Sequence, residues 1–283
     1  MKVKYFLGMC LVGMVGFLTY TTISAGELPW ERKLPFEHAT IHYTVSGVEQ
    51  GTQIVYIRDF GREQATYSDT TTKIMGMSVN EKSVEFVDVD FVYSYDLQAH
   101  EGTKSVNPQK YLAESYTSLT LAEKKQVQKN AGKMRGALTD GMDGAVQQNA
   151  AKILNYDCDK IDIMGGGSTY LLHGTSLPLK TEVNMMGMKM TTTAISVDTA
   201  KVDTKKFIHP KGIDAKVDRA ADAMAQAMGR QAMDAFKDPD TSKIGLGAGA
   251  NRNEMQKNMT EEDKQMLEQA GEMLKGMKDI FSQ

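Results

Sequence analysis

Two cysteines, Cys10 and Cys158, are too few to staple a chain of 283 residues, which excludes a disulfide framework. Basic excess is lacking too: 33 Lys+Arg stand against 36 Asp+Glu, a formal charge of -3, and no basic run appears. Phosphate recognition needs a concentrated cationic surface, so nucleic-acid binding is set aside. No apolar run reaches the roughly 20 residues that a spanning helix requires. Nor does any G-x-S-x-G, HExxH, CxxC, phosphate-loop or dinucleotide fingerprint occur. The chain is therefore read as non-catalytic, with no cofactor.

What is present begins with an export leader. Lys2 and Lys4 precede an apolar run from Tyr5 to Leu18, and Ile23-Ser24-Ala25 is a small-residue exit. Cleavage after Ala25 is expected, giving a periplasmic or secreted protein with no stable membrane span, a net charge of -5 and Cys158 as its one thiol. That thiol is read as a small buried apolar side chain.

From Phe36 to about Leu97 the pattern has period two, the mark of half-buried antiparallel strands. Ala39, Ile41, Tyr43 and Val45 share one face, with His38, Thr40, His42 and Thr44 on the other. His38 and His42 are then about 13 Å apart along the strand, too far to ligate one metal. A second strand is expected at Thr52 to Arg58, a third at Gln64 to Asp69, and a later one alternating Val87, Val89, Phe91, Tyr93, Tyr95 and Leu97. Thr120-Leu-Ala-Glu123 is a capping box, and Val127, Ala131, Met134 and Leu138 form a helical stripe. This predicts a helix inserted over 120–150, with a break near Asp140-Gly141. Strands resume at Tyr156 to Met164, Thr169 to His173, Leu177 to Met185 and Met188 to Val197. The triple glycine at 165–167 is read as a hairpin turn.

Residues 214–283 read as two amphipathic helices, the first with Val217, Ala220, Ala221, Met224, Met228 and Phe236 on one side, the second capped by Thr260. This tail is a candidate surface for an envelope protein partner. Asp88 and Asp90, and the trio Asp157, Asp159 and Asp162, are read as solvated strand positions rather than calcium ligands.

Several stretches carry a family likeness: Phe91-Val-Tyr-Ser-Tyr-Asp96 with Gly102-Thr-Lys-Ser-Val-Asn-Pro108, Tyr156-Asp-Cys-Asp159, Leu177-Pro-Leu-Lys180, and Thr191 to Val197 leading into Phe207-Ile-His-Pro210. In their order and spacing, over residues 36–213, they resemble an exported family of unknown function in the lipoprotein-localisation (LolA-like) clan. The resemblance implies an α+β fold, a curved antiparallel sheet forming an incomplete β-barrel wrapped around a helix, with an apolar cavity. The helical extension after residue 213 departs from that pattern.

On that reading the cavity lining is Ile41, Tyr43, Val45, Phe91, Tyr93, Tyr95 and Val183, and the expected function is holding a lipid-like or other apolar ligand. Two alternatives stay open. Seventeen of the twenty methionines follow the leader, and a two-residue turn at Met186-Gly187 would set Met185, Met188 and Met190 on one face, three soft thioethers suited to Cu(I). The other alternative is a structural module acting through the C-terminal helices.

Overall fold

The computed structural model describes residues 28–31, 33–74, 77–140, 146–163, 167–185 and 188–237. Threonine-rich and valine-rich alternation dominates, and twelve strands follow from it: β1 (Ala39–Gly47), β2 (Glu49–Arg58), β3 (Glu63–Ile74), β4 (Met77–Val87), β5 (Phe91–Asp96), β6 (Glu101–Val106), β7 (Val146–Ile153), β8 (Tyr156–Ile163), β9 (Gly167–Leu172), β10 (Pro178–Met185), β11 (Met188–Asp198) and β12 (Ala215–Val217). They form one open sheet in the order β12-β6-β5-β4-β3-β2-β1-β11-β10-β9-β8-β7. Its pairs are antiparallel except β12 on β6, which is parallel, so the sheet is mixed rather than purely antiparallel. The helices are α1 (Pro108–Thr117), α2 (Leu121–Asp140) and α3 (Arg219–Lys237). The fold is α+β.

Several sequence expectations are met residue for residue. On β1 the buried positions are Ala39, Ile41, Tyr43 and Val45, in strict alternation. The capping box forms: the Thr120 amide donates to Glu123 Oε2 at 2.8 Å, and the Glu123 amide to Thr120 Oγ1 at 3.3 Å. Met185 pairs with Met188 and Val183 with Met190, as the two-residue turn requires. Cys158 is fully buried.

Others need correction. The strand expected from Val87 to Leu97 is a hairpin, because Asp88 Oδ1 accepts from the amides of Asp90 and Phe91 and turns the chain; Val87 then pairs with Val92. The helix expected over 120–150 ends at Asp140, and Val146–Ile153 is edge strand β7. Helix α1 was not anticipated, although Asn107 caps it and Pro108 occupies its first turn. The first tail helix is preceded by strand β12, which holds Val217 with 63% of its surface exposed. Helix α3 also turns a different stripe inward: Ala225, Met233 and Phe236 are buried while Met224 is exposed. The expected second tail helix, 260–281, and the leader lie outside the described residues.

The core is divided. One cluster joins β1 and β2 to β8–β11 and includes Ile41, Ile57, Cys158, Leu172, Leu179 and Ala194. A second joins Ala65, Val84, Phe86 and Tyr95 to Phe207, Ile213 and Ala215. The third is helical, with Leu112, Leu119, Val127, Ala131, Met233 and Phe236. Val127 and Ala131, expected to cover the sheet, thus belong to a helical layer with its own core. The segment before β1 ties that layer to the sheet. Trp30 stacks on Phe236 at 5.1 Å and meets Tyr116 edge-on, while Leu34 joins the β1 cluster.

Helix α3 reaches α1 at Gly229, where an added Cβ would stand 2.8 Å from Tyr111 Cβ and 3.2 Å from the Leu112 nitrogen. Gly229→Ala gains about 1 kcal/mol of helix propensity, but the clash forces the helices apart at a cost of about 1–3 kcal/mol. A net loss of roughly 1 kcal/mol is the expected result, read by urea unfolding followed by circular dichroism. An unchanged or raised midpoint would mean that the crossing is looser than its geometry indicates.

Candidate functional site

From β1 to β6 every pairing register is unbroken, so the face on which each side chain stands can be followed strand by strand. The row through Ile41 runs Val55, Thr66, Glu85, Ser94, Thr103. The next runs from Tyr43 through Gln53, Ser68, Ser83 and Asp96 to Glu101. The same face is therefore apolar at β1–β2 and hydroxyl-rich and acidic at β3–β6. The apolar set reverses sides between β2 and β3. On the opposite face stand Tyr56, Ala65, Tyr67, Val84, Phe86, Tyr93 and Tyr95, covered by the chain from Phe207 to Ala215.

This reversal divides the expected cavity lining. Ile41, Tyr43, Val45 and Val183 share one face, whereas Phe91, Tyr93 and Tyr95 stand on the other. Ile41 has no exposed surface, and Tyr43 and Val45 are closed at 5% and 7%. Those three are packing, not open lining. Tyr93 and Tyr95 instead hold His209. The imidazole stacks on Phe86 at 4.5 Å, meets Tyr93 edge-on at 4.5 Å, and its Nδ1 is 2.7 Å from Tyr95 Oη. Burial lowers the His209 pKa, so the neutral ring is favoured in this aromatic setting.

Glu85 is the notable group on the polar face. Its cross-strand neighbours are Thr66 and Ser94, and Ser83 and Val87 flank it along β4. A carboxyl on a flat, wet sheet face keeps an ordinary pKa. That of Glu85 is pushed up to about 7 by burial, with no neighbouring charge or hydrogen bond to offset it, although the side chain is only half-buried. Glu81, on the same face, is also raised, by burial and then by Glu49 and Asp96.

The lysines and arginines of β1–β6, Arg58, Lys73, Lys82 and Lys104, all stand on the face opposite Glu85, together with Glu63 and Asp69, which pair with Arg58 and Lys82; Glu49, Glu81, Glu85, Asp96 and Glu101 stand on the Glu85 face. A threonine row also crosses the Glu85 face. It runs from Ile161 through Thr169, Thr181, Thr192, Val45, Gly51 and Thr70 to Glu81. Thr169 is 6% exposed, and its Oγ1 has no hydrogen-bond partner.

Of the acids read as solvated, Asp159 is in fact buried. Its Oδ1 lies 2.7 Å from His173 Nδ1 and accepts the Asn149 amide at 3.0 Å, while Oδ2 accepts from the Gly174 amide. Burial alone would raise its pKa, but His173 and the two amides outweigh it and hold the carboxyl low. Asp88 is occupied by turn amides, and Asp90 pairs with Lys110 at 2.9 Å, so neither is set out as a calcium ligand. Register puts Met185, Met188 and Met190 on one face with Val183; the Met185 side chain lies outside the described residues. Among the described residues no group of three His, Cys, Asp or Glu could hold a metal ion.

Sequence reasoning missed Glu85 and Thr169. For Glu85 a signal existed: Val84 and Phe86 bracket it, so any strand through Lys82–Val87 that buries those two sends Glu81, Ser83 and Glu85 to the other side.

No family model matches the chain, and no curated protein matches it. Similar solved structures include an uncharacterized conserved protein from Thermus thermophilus, at 11% identity over 63% of this chain and 90% of that one, with a TM-score of 0.37. Another is PNGF-II, at 14% identity and a TM-score of 0.35. That match covers 68% of this chain, which spans about a third (32%) of PNGF-II. No helix among the described residues is long and apolar enough to cross a membrane.

Proposed function

We propose that this is an exported, non-catalytic binding protein that holds an amphipathic, lipid-like ligand on the sheet face around Glu85. The sheet is taken to curl as an incomplete barrel, in keeping with the LolA-like resemblance, with the helical layer at one side rather than threaded through the middle. The single supporting observation is Glu85, a desolvated carboxyl with solvent contact and no partner among the described residues, a state favoured where a ligand supplies the missing contact. Beside Glu85 on the same face, Val87 and Val92 are not closed off and offer an apolar surface for a chain.

Native mass spectrometry of the mature protein, followed by solvent extraction, tests this reading. An organic ligand of lipid mass, or stoichiometric uptake of a fluorescent alkyl probe that Val92→Trp blocks, is the expected result. A protein that carries nothing and takes up no alkyl probe would refute it.

A further inference from the structure

We infer that the segment 205–211 is a docking surface for an anionic lipid bilayer, with Ile208 as the side chain that enters the interface and the lysines around it as the electrostatic anchor. The inference is independent of what Glu85 holds, because this segment crosses the opposite face of the sheet. Its geometry is fixed residue by residue. Asp203 accepts from the Lys205 amide at 2.9 Å and caps a short 3-10 turn, Thr204–Phe207. The Phe207 ring lies 4.2 Å from the Arg58 guanidinium of β2, Tyr67 Oη donates to the Lys206 carbonyl at 2.9 Å, and His209 stacks on Phe86 of β4 at 4.5 Å. Between them Ile208 is extended, at φ -87° and ψ 123°. Successive side chains of extended backbone point to opposite sides, so with Phe207 and His209 turned onto the sheet, Ile208 is turned outward. It is 60% exposed although the residues on both sides of it are anchored.

The charge around Ile208 is mostly of one sign. Residues 201–217 carry Lys201, Lys205, Lys206, Lys211 and Lys216 against Asp203 and Asp214, a surplus of three positive charges in a chain whose net charge is -3. All five lysines are exposed, and none forms an ion pair with a described residue. The sheet beneath adds Lys104, whose Nζ lies over the Phe91 and Tyr93 rings at 3.5 and 5.2 Å. Register sets Val217, itself mostly exposed, beside Lys104 on this same face. Folding, and not a run in the sequence, gathers these cations. An outward branched side chain gains by leaving water for hydrocarbon, and lysines at a bilayer surface gain by meeting acidic head groups. The two together make an interfacial anchor, and a fluid interface receives Ile208 without a matching pocket. A nucleic-acid backbone would use the charge and leave Ile208 and Val217 in water.

Co-sedimentation of the mature protein with vesicles of phosphatidylcholine, and with vesicles of an equal mixture of phosphatidylcholine and phosphatidylglycerol, tests the assignment at low and high salt. At low salt the mixed vesicles should bind roughly tenfold or more tightly than the neutral ones, and high salt should remove the difference. Lys205→Gln combined with Lys211→Gln, two side chains in no ion pair or ring contact, should weaken binding to the mixed vesicles about tenfold or more. Ile208→Ser should weaken it roughly fivefold, and Ile208→Trp should add tryptophan emission that shifts to the blue when mixed vesicles are added. No binding to either vesicle, equal binding to both, or an unchanged affinity in the lysine variant would overturn the assignment. Binding to mixed vesicles that Ile208→Ser leaves unchanged and duplex DNA displaces would reassign the face to polyanions and overturn it as well.

Discussion

Glu85→Gln is expected to stabilise the fold above neutral pH and to change little in acid. In the folded protein burial holds the Glu85 pKa near 7, against 4.5 for the free side chain. The folded state therefore binds the extra proton, and its stability is greatest below the unfolded pKa and falls as pH rises through the folded one. Over that window the loss amounts to up to about 3 kcal/mol, at 1.36 kcal/mol per unit. Glutamine has nothing to titrate, so the advantage of the variant should grow from near zero at pH 4 to about 3 kcal/mol at pH 8. Asp159 works in the opposite sense: its lowered pKa gives stability that is lost as pH falls toward and below 3.8, outside this window and equally in both proteins. Urea unfolding at pH 4, 5.5 and 8 reads the difference. Parallel pH profiles for the two proteins would mean that the Glu85 carboxyl is hydrated in the folded state.

Such a carboxyl is hard to find from sequence because its position depends on register, and only part of the register is local. Alternation identifies the buried side of a single strand without ambiguity, as Ala39, Ile41, Tyr43 and Val45 demonstrate. It does not say whether the buried sides of neighbouring strands agree. Between β2 and β3 they disagree: Val55 is buried on one face and Ala65 on the other, yet Val55 pairs with Thr66. Cavity lining gathered from apolar residues alone therefore drew from both sides of one sheet, with Val45 and Tyr95 as members. Local chemistry was legible wherever one residue type fixes one contact, as in the Thr120–Glu123 box and the pairing of Met185 with Met188. The helix after Asp218 was visible as a helix, but its inward stripe was not. Small apolar residues surround it, and the stripe actually used is the one that brings Gly229 against α1, a tertiary choice. Edge strands β7 and β12 carry weak apolar patterns of their own and exist because a neighbour offers them a ladder.

Arg62→Met should be the most damaging single change considered, at about 3–5 kcal/mol. The Glu31 side chain is only 3% exposed, and Arg62 reaches its Oε1 through Nη2 at 2.9 Å and Nε at 3.1 Å, with Asp59 3.6 Å away on the exposed side. Removing the guanidinium strands a buried carboxylate, and such a charge costs far more than the intact pair contributes. The cost is spatially directed. Glu31 adjoins Trp30, which stacks on Phe236 of the helical layer, and the same segment continues into Leu34, whose amide donates to the Phe60 carbonyl beside β2. Breaking the pair should free the strap that joins helices to sheet, so tryptophan fluorescence should change at lower urea than far-ultraviolet circular dichroism. The compensating double variant, Glu31→Leu with Arg62→Met, should recover most of the loss, since two apolar side chains have nothing left to satisfy. If Arg62→Met costs less than about 1 kcal/mol, or if the double variant is as unstable as the single, the pair is solvated and the strap is held by its apolar contacts alone.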